Sequence, residues 1–569
     1  MNDTKNLIIA VILSTCVLFL WQYFYAAPKT LEVQRYTQQV QQQAQQQEQL
    51  LSPSVQEQET KQENLPKNRK DLIGNTDRIQ ISTATLHGSI SLTGARLDDL
   101  TLANYKTNND PQAEEVVLLS PSGSDSVYFA EFGWLPANGS TIVPNSKTIW
   151  HSQDKVLNQN KPITLSWDNN SGLKFYMDIE IDNNYMFKIT RRVENYGKIA
   201  ESIQSYGILN RTRSTHEKSM YISHEGAIAV LGNKLTEVSY DDLQEDKKYK
   251  YDNSRGWLGI ADKYWLTTLI PDQSNSFDAS FTYFYNNNQD RYQVDYLERK
   301  IDLAPGDSIK ITSHLFTGPK KVNMLDTYAK ELNLHLFDRA VDFGWLYFIT
   351  KPIFQLLHFL YDFSGNFGLA ILMLTILLKI VLFPLAKKSY ISMHHLKRLQ
   401  PNILDIKERY TNDKMAMNKA IMELYKTEKV SPMAGCLPLL IQLPIFFALY
   451  KVLYVTLEMR HAPFYGWISD LSAPDPTSFV NLFGLLPFNP PQFLMIGAWP
   501  LIMSISMYLQ QKMNPEPTDP VQAKVIKLLP FIFLFLFANF AAGLVIYWAW
   551  NNILSILQQW IITRKLPKK

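Results

Sequence analysis

The chain has 569 residues, a formal net charge of +3 and aromatic residues at 12%. Its mean hydropathy of -0.16 fits neither an ordinary soluble protein nor one built only of membrane spans, which indicates that two unlike regions share the chain. Its two cysteines, Cys16 and Cys436, both lie in apolar segments, which excludes a disulfide framework.

Residues 7–25 form the first apolar segment, and its outer end is aromatic. About 19 apolar residues are enough to cross a bilayer, and aromatic side chains are typical of the membrane interface. Residues 1–27 are therefore predicted to be a retained N-terminal transmembrane signal anchor. Two alternatives are a cleaved signal peptide, with cleavage at Ala26 and Ala27, and lipidation of Cys16.

Residues 28–70 are predicted to be a linker, because the Gln-rich part at 34–62 has too few apolar side chains to build a core. Residues 71–325 then show short runs in which apolar and polar residues alternate, separated by Gly, Asn, Asp and Pro. Examples are residues 78–83, 173–179, 185–189 and 308–311. A period of two indicates β-strands, so this region is predicted to be a soluble antiparallel β-sandwich with its own core.

Residues 326–366 contain an apolar, aromatic-rich stretch that charged residues interrupt and that Lys351 and Pro352 break. This pattern favours an amphipathic helix in the membrane interface over a span.

Five candidate spans follow, at residues 367–386, 433–454, 493–509, 525–539 and 543–562. The last two are read as separate helices with a turn at Asn539 and Gly543, because a single helix of about 38 residues would measure about 57 Å. Residues 479–488 are too short to span and are predicted to be an interfacial loop.

Basic residues indicate the orientation. Residues 387–430 carry ten lysines and arginines, and the C-terminal tail four, whereas the loop between the third and fourth spans has only Arg460 beyond the boundary residue Lys451. The positive-inside rule places both termini and the basic loop in the cytoplasm, with six spans and the β-domain outside. Apolar stripes in the loop predict a helical hairpin that turns near residues 411–413. Its charges are a solvated face or a contact for anionic lipid, ribosomal RNA or a targeting factor.

Lys379 lies inside the span at 367–386, where a charge costs about 2.5–3.5 kcal/mol, and such a position indicates function. The alternative is that its stem reaches the cytoplasmic interface. Thr375 lies one turn away on the same face, other spans also contain polar residues, and no Asp or Glu lies within the spans. This pattern favours a water-containing groove in which the lysine attracts acidic substrate.

Enzymatic and nucleotide-driven functions are not indicated. The sequence has no GxxxxGK[ST] loop, no HExxH and no CxxC pair. We therefore expect no cofactor, no metal and no catalytic residue.

Two parts of the sequence closely resemble spans of the YidC/Oxa/Alb membrane protein insertases: residues 431–450, and residues 543–548 together with 551–560. The likeness matches the Gram-negative YidC type. The resemblance implies a polytopic α-helical membrane protein with six transmembrane helices, a five-helix insertase core at 367–569 and a periplasmic β-supersandwich domain at 71–325. It also implies a hydrophilic groove that is open to the cytoplasm and lined by Lys379, Thr375 and Trp548, with Gln442 and Tyr547 as weaker candidates.

The same resemblance implies a bacterial inner-membrane insertase whose partners are nascent membrane proteins, the Sec translocon, the ribosome and the lipid bilayer. One departure is that bacterial members usually have arginine where this chain has Lys379, so bidentate recognition is lost. The short basic tail also puts tail-mediated ribosome binding in doubt. A small-solute transporter and a membrane-anchored periplasmic scaffold are the alternative functions.

Overall fold

The computed structural model describes residues 68–564, apart from residues 75, 214–222, 287–288, 412, 429, 431–436, 489, 492–493 and 515–519. The predicted anchor, almost all of the Gln-rich linker, both cysteines and the last five residues lie outside the described residues.

Strands dominate the first half of the described chain, as the alternating pattern predicts. Their bounds are β1 Arg78–Ser82, β2 Leu86–Ser91, β3 Arg96–Lys106, β4 Glu115–Leu119, β5 Tyr128–Pro136, β6 Val156–Leu157, β7 Ile163–Asp168, β8 Leu173–Ile181, β9 Met186–Asn195, β10 Glu201–Thr212, β11 Gly226–Leu231, β12 Lys234–Ser239, β13 Lys248–Ser254, β14 Gly256–Ala261, β15 Trp265–Ile270, β16 Phe277–Asn286, β17 Gln289–Glu298, β18 Ile301–Leu303 and β19 Ser308–Pro319. Two short helices accompany them, α1 Arg69–Gly74 and α2 Tyr240–Asp246.

The strands form two sheets. The larger has eleven strands in the order β13-β16-β17-β10-β5-β3-β2-β1-β6, with β18 beside β10 and β4 beside β3. The smaller has eight, in the order β12-β11-β14-β15-β19-β9-β8-β7. In β8, inward side chains such as Phe175 and Met177 are fully buried and alternate with more exposed ones. The prediction of a large all-β domain is confirmed.

Arg191 on β9 connects the two sheets from inside the core, where it is 0% exposed. Its guanidinium donates to the carbonyl oxygens of Gly133 (3.2 Å) and Tyr206 (2.7 Å) and to the Tyr296 hydroxyl (3.1 Å), all on the larger sheet. It also donates to Ser313 Oγ on its own sheet, at 2.7 Å. A buried cation is tolerated here because four acceptors surround it.

Helices dominate the second half of the described chain. Their bounds are α3 Val322–Glu331, α4 Tyr347–Ser364, α5 Phe367–Val381, α6 Phe383–Arg398, α7 Gln400–Arg409, α8 Lys414–Thr427, α9 Leu437–Val455, α10 Ala498–Met513, α11 Pro520–Phe537 and α12 Ala542–Arg564. The chain turns between α11 and α12, as predicted. Helices α7 and α8 pack through a small apolar cluster of Leu396, Leu399, Ile403, Ile421 and Val430.

The predicted span at 367–386 differs from the structure, where the helix ends at Val381 and α6 leaves at an angle of 69°. Pro384 in the first turn of α6 explains the break, because proline has no N–H to donate and its ring crowds the preceding turn. Lys379 therefore lies in the last turn of α5 rather than in mid-helix. A cation is favoured at the end of a helix by the exposed carbonyl dipoles.

Hydrogen bonds and an ion pair join the β-domain to the helices. Asp342 accepts from Lys451 Nζ on α9 (2.9 Å) and from the backbone N–H of His224 (3.0 Å). Arg460 donates to the carbonyl oxygens of Lys106 (2.8 Å) and Thr107 (3.2 Å) in the loop after β3. Burial alone would raise the pKa of Asp342, but the nearby Lys451 outweighs burial and holds that pKa below its ordinary value.

His224 makes this junction sensitive to acid. Its ring is largely buried, and Nε2–H donates to the Ala227 carbonyl at 2.9 Å. Burial lowers the pKa of His224 from 6.5 to about 4. Between these two values the unfolded chain binds a proton that the folded chain excludes, so the stability is complete above pH 6.5 and is lost as the pH falls towards about 4.

We expect His224→Gln to remove roughly 3 kcal/mol of this pH dependence, since glutamine can keep the donated hydrogen bond but does not titrate. The measurement is the thermal midpoint of the purified chain between pH 7 and pH 4, for the wild type and the variant. Parallel curves for the two proteins would contradict the assignment.

Candidate functional site

The side chain of Lys379 contacts α12, the last helix of the described chain. Its Nζ donates to Ser555 Oγ on α12 at 2.7 Å, and Ser555 Oγ in turn donates to the Asn551 carbonyl at 2.7 Å. Gln558 Nε2 donates to the Lys379 carbonyl at 3.2 Å, so α5 and α12 are linked twice. The Lys379 side chain is half-buried, and Ser555 is buried.

Within the described residues, no carboxylate lies within ion-pair distance of the Lys379 amine. Its partner is a neutral hydroxyl, which accepts a hydrogen bond but leaves the positive charge uncompensated. An ammonium in this setting attracts anions more strongly than one at the protein surface, because less water screens it.

Thr375 lies one turn before Lys379, as the spacing predicts, but it is 1% exposed. Its hydroxyl donates to the Ile371 carbonyl at 2.7 Å, within the same helix. The buried Thr375 hydroxyl therefore hydrogen-bonds to the backbone of its own helix and needs no partner from another helix.

The other three predicted site residues form a second group. The Tyr547 hydroxyl lies close to the side chain of Gln442 on α9, and Tyr547 is buried. Trp548 packs edge-on against Phe446, with ring centroids 4.7 Å apart, and also contacts Phe537. Since eight residues of α12 separate Tyr547 from Ser555, the two groups lie about 12 Å apart along that helix.

The residue that sequence reasoning missed is Ser555. It belongs to a polar row on α12 in which Asn552 donates to Ser506 Oγ on α10 (3.1 Å) and Gln559 donates to the Met513 carbonyl (3.3 Å). The signal was available in the sequence, because polar residues at 551, 555 and 559 repeat every four positions and so share one helix face.

The second half of α12 has an inverted arrangement of polar and apolar side chains. Its buried side chains include Asn551, Asn552, Ser555 and Gln559, whereas the exposed ones before Arg564 are the apolar Ile553, Leu557, Trp560 and Ile561. On α11, Lys524 and Lys527 are exposed near its start, whereas the exposed side chains from Leu528 onward are apolar: Leu528, Phe531, Ile532, Phe535 and Leu536. Buried polar and exposed apolar side chains in this part of α12 are the reverse of the pattern in the β-domain.

The connection between α9 and α10 covers the end of the helices at which α12 begins. Asp475, 4% exposed, accepts from the backbone N–H of Trp499 (2.9 Å) and from the Trp467 indole N–H (3.1 Å). In the same connection, the Leu471 carbonyl oxygen accepts a hydrogen bond from the Gly543 N–H (3.0 Å). A Cβ atom at position 543 would lie 3.2 Å from that carbonyl oxygen. Glycine at 543 therefore lets the connection close over the start of α12.

Judged by length and composition, none of the described helices would cross a membrane as one straight segment, whereas the bent pair Phe367–Val381 and Phe383–Arg398 passes the same test when taken together. The described residues also contain no group of His, Cys, Asp and Glu suited to hold a metal ion.

Comparisons with known proteins cover nearly the whole chain. The family model described as the YidC periplasmic domain matches residues 78–356, and the one described as 60Kd inner membrane protein matches residues 359–569. The chain is 48% identical over 570 residues to the membrane protein insertase YidC of Rickettsia massiliae, and 48% identical over 564 residues to that of Rickettsia bellii, with 99% of both chains covered in each case. A crystal structure of an active YidC insertase aligns with 86% of this chain and 93% of its own, at 17% identity and a TM-score of 0.34.

Proposed function

The chain belongs to the YidC family of membrane protein insertases, and on this premise we propose that it receives nascent segments in a hydrophilic groove beside Lys379. It is an insertase rather than an enzyme, and its clients are nascent membrane proteins. It is an inner-membrane protein with a periplasmic β-domain. Because its full-length relatives are insertases, the transporter and scaffold alternatives are set aside.

The observation that carries the groove proposal is the uncompensated amine of Lys379, held at 2.7 Å from Ser555. An acidic group in the polar tail of a client supplies the missing negative charge. At a separation of about 6 Å and an effective dielectric constant near 20, the attraction is about 3 kcal/mol. This attraction draws the tail into the membrane region before it crosses.

The arrangement of side chains on α11 and α12 supports the second half of the mechanism. Asn552, Ser555 and Gln559 are bonded to their own and neighbouring helices and make the interior beside Lys379 polar. The outward faces of α12 and of α11 from Leu528 onward are apolar. The apolar part of the client slides past these faces into lipid, driven by about 25 cal/mol per Å² of apolar surface removed from water. The membrane potential adds about 2.3 kcal/mol per 100 mV for each acidic group moved outward.

The groove is proposed to be closed on the outer side, which the contacts of Asp475 and Leu471 support. A tail therefore enters from the cytoplasm and leaves only with its client. The proposed groove residues remain Lys379, Thr375, Trp548, Gln442 and Tyr547, to which Ser555 is now added. No cofactor is required, because burial and the membrane potential drive the step.

The wider proposal keeps six transmembrane helices, with both termini in the cytoplasm. Its units are an anchor at 1–27, a linker at 28–70, a periplasmic supersandwich at 71–325, an interfacial helix at 326–366 and a five-helix core at 367–569. The hairpin at 387–430 is proposed to contact the ribosome and a targeting factor, and the core to work alone or with the Sec translocon. Its many basic residues suit an anionic partner.

The test is a photoreactive residue at position 379, with ribosome-stalled nascent chains as targets. We expect position 379 to crosslink to the polar tail of the client. The matched control is position 380, where Ile380 is 64% exposed on the outward face and should crosslink mainly to lipid. Equal yields of client crosslinks at both positions would reject the groove.

A further inference from the structure

Residues 479–488, called here the outer apolar loop, lie in the connection between α9 and α10 and leave their large side chains uncovered. Leu485 is 82% exposed. Five more large apolar side chains are 39% to 52% exposed: Phe479, Leu482, Phe483, Leu486 and Phe488. Earlier in the same connection, Met459, Ile468 and Leu471 are at most 1% exposed, so the two halves differ sharply. The described protein offers no cover for the second half.

The loop is rooted at the outer end of a helix. The Phe479 N–H donates to the Ile496 carbonyl at 3.0 Å, and Ser478 Oγ donates to the Leu494 carbonyl at 3.0 Å. Helix α10 begins two residues after Ile496. Trp467, 46% exposed, is tied to the same helix end through Asp475. An exposed indole is typical of the boundary between lipid and water.

The loop carries no charge. Between Asp475 and Lys512 the sequence contains no Asp, Glu, Lys or Arg. Loops on protein surfaces usually carry charges, because they face water. The exposed loop lies within these 36 uncharged residues. It can therefore contact lipid without the cost of moving a charged side chain out of water.

Most backbone donors of the loop are hydrogen-bonded within it or to adjoining residues. Each N–H from Leu482 to Leu486 donates to a carbonyl oxygen of residues 478–482, and the Phe488 N–H donates to Leu486. Pro487 has no N–H. Positive φ angles at Leu482 (51°), Phe483 (58°) and Gly484 (97°) produce this tight turn. Satisfied backbone donors are what a segment needs in order to leave water, since unpaired N–H groups are costly in lipid.

We propose that the outer apolar loop inserts its side chains into the outer leaflet of the bilayer. The partner is the lipid surface itself, recognised by apolar contact rather than by charge. Because the loop closes before α10 begins, it reaches only the boundary between headgroups and acyl chains, about 5–10 Å deep. It thereby fixes the height at which the outer end of α10 sits in the membrane.

The test is spin labelling of the full chain in liposomes of phosphatidylethanolamine and phosphatidylglycerol. Cys16→Ser and Cys436→Ser provide a background without reactive thiols, and Leu485→Cys carries the label. Collisions with oxygen, which concentrates in lipid, are compared with collisions with a water-soluble nickel chelate. The matched control is Ile199→Cys on the β-domain, since Ile199 is also an exposed apolar residue (64%).

We expect the oxygen-to-nickel ratio to be several-fold higher at 485 than at 199. Equal ratios would overturn the proposal in favour of a loop in water. Protection of 485 from both reagents would overturn it in favour of a protein partner, such as a second copy. Leu482→Cys gives an independent site on the same loop, and since both side chains are exposed, neither substitution opens the core.

Discussion

Replacement of Lys379 by glutamate should take insertion of clients with acidic tails below detection, while clients with neutral tails lose much less. The amine supplies about 3 kcal/mol of attraction to a carboxylate at about 6 Å, and a carboxylate in its place supplies similar repulsion. The swing of about 6 kcal/mol corresponds to a factor of more than a thousand in the equilibrium for tail entry. Lys379→Arg should retain insertion, since the charge is kept.

The measurement is protease protection of a short-tailed client in proteoliposomes. Lys387→Glu is the matched control, because it changes the net charge equally at an exposed position eight residues away. Insertion that survives Lys379→Glu, or that falls equally in the control, would reject charge attraction at this site.

A charge exchange tests whether insertion requires the positive charge itself or the position of the lysine on α5. In the double variant Lys379→Ser/Ser555→Lys, the lysine is attached to α12 instead of α5. Because the two side chains are in contact in the wild type, its amine should lie in nearly the same place between the two helices. We expect it to restore much of the insertion that Lys379→Ser loses. No recovery would mean that the position of the lysine on α5, rather than its charge, is required.

Arg191→Leu should destabilise the β-domain by about 3–5 kcal/mol, since it removes a buried guanidinium and leaves its acceptors without donors. Two of these acceptors are main-chain carbonyl oxygens of the larger sheet, at Gly133 and Tyr206. For a domain of this size, a loss of that order lowers the unfolding temperature by roughly 10 °C. Thermal unfolding of the purified chain in detergent measures the shift.

The neighbouring arginine is the matched control. Arg192 points to the opposite face of β9, where it pairs with Glu194 and lies over the ring of Tyr176, with its side chain 36% exposed. Arg192→Leu should cost about 1 kcal/mol or less, because surface ion pairs and exposed cation–π contacts are weak. A similar loss in both variants would show that the charge of β9, rather than the inter-sheet contacts, is responsible.

The β-domain was predictable because alternation in the sequence reports directly on which side of a strand is buried. The pairing of strands was not. β10 lies between β5 and β17, far from both in sequence, and only the packing of the two sheets decides this order. The role of Arg191 was equally hidden, since Arg191 and Arg192 look alike until the register of β9 is known.

The helical region was predictable in the approximate positions of its apolar helices but less so in their ends. Pro384 was visible in the sequence, yet the prediction ran through it to residue 386, and the helix ends at Val381. Lys379 drew attention through the energetic cost of its position, whereas Ser555 did not, because a serine in an apolar helix usually bonds to its own backbone. Which polar residues meet depends on helix rotation, which side-chain patterns constrain only loosely.

The outward faces of α11 and α12 have a consequence for how this sequence can drift. Where the β-domain touches itself, every neighbour has a fixed shape and a replacement must match it. Fluid acyl chains have no fixed shape, so many apolar side chains are interchangeable on the outward faces of these two helices. The row of Asn552, Ser555 and Gln559 is the reverse case, in which both bulk and bonding capacity are prescribed by adjoining helices.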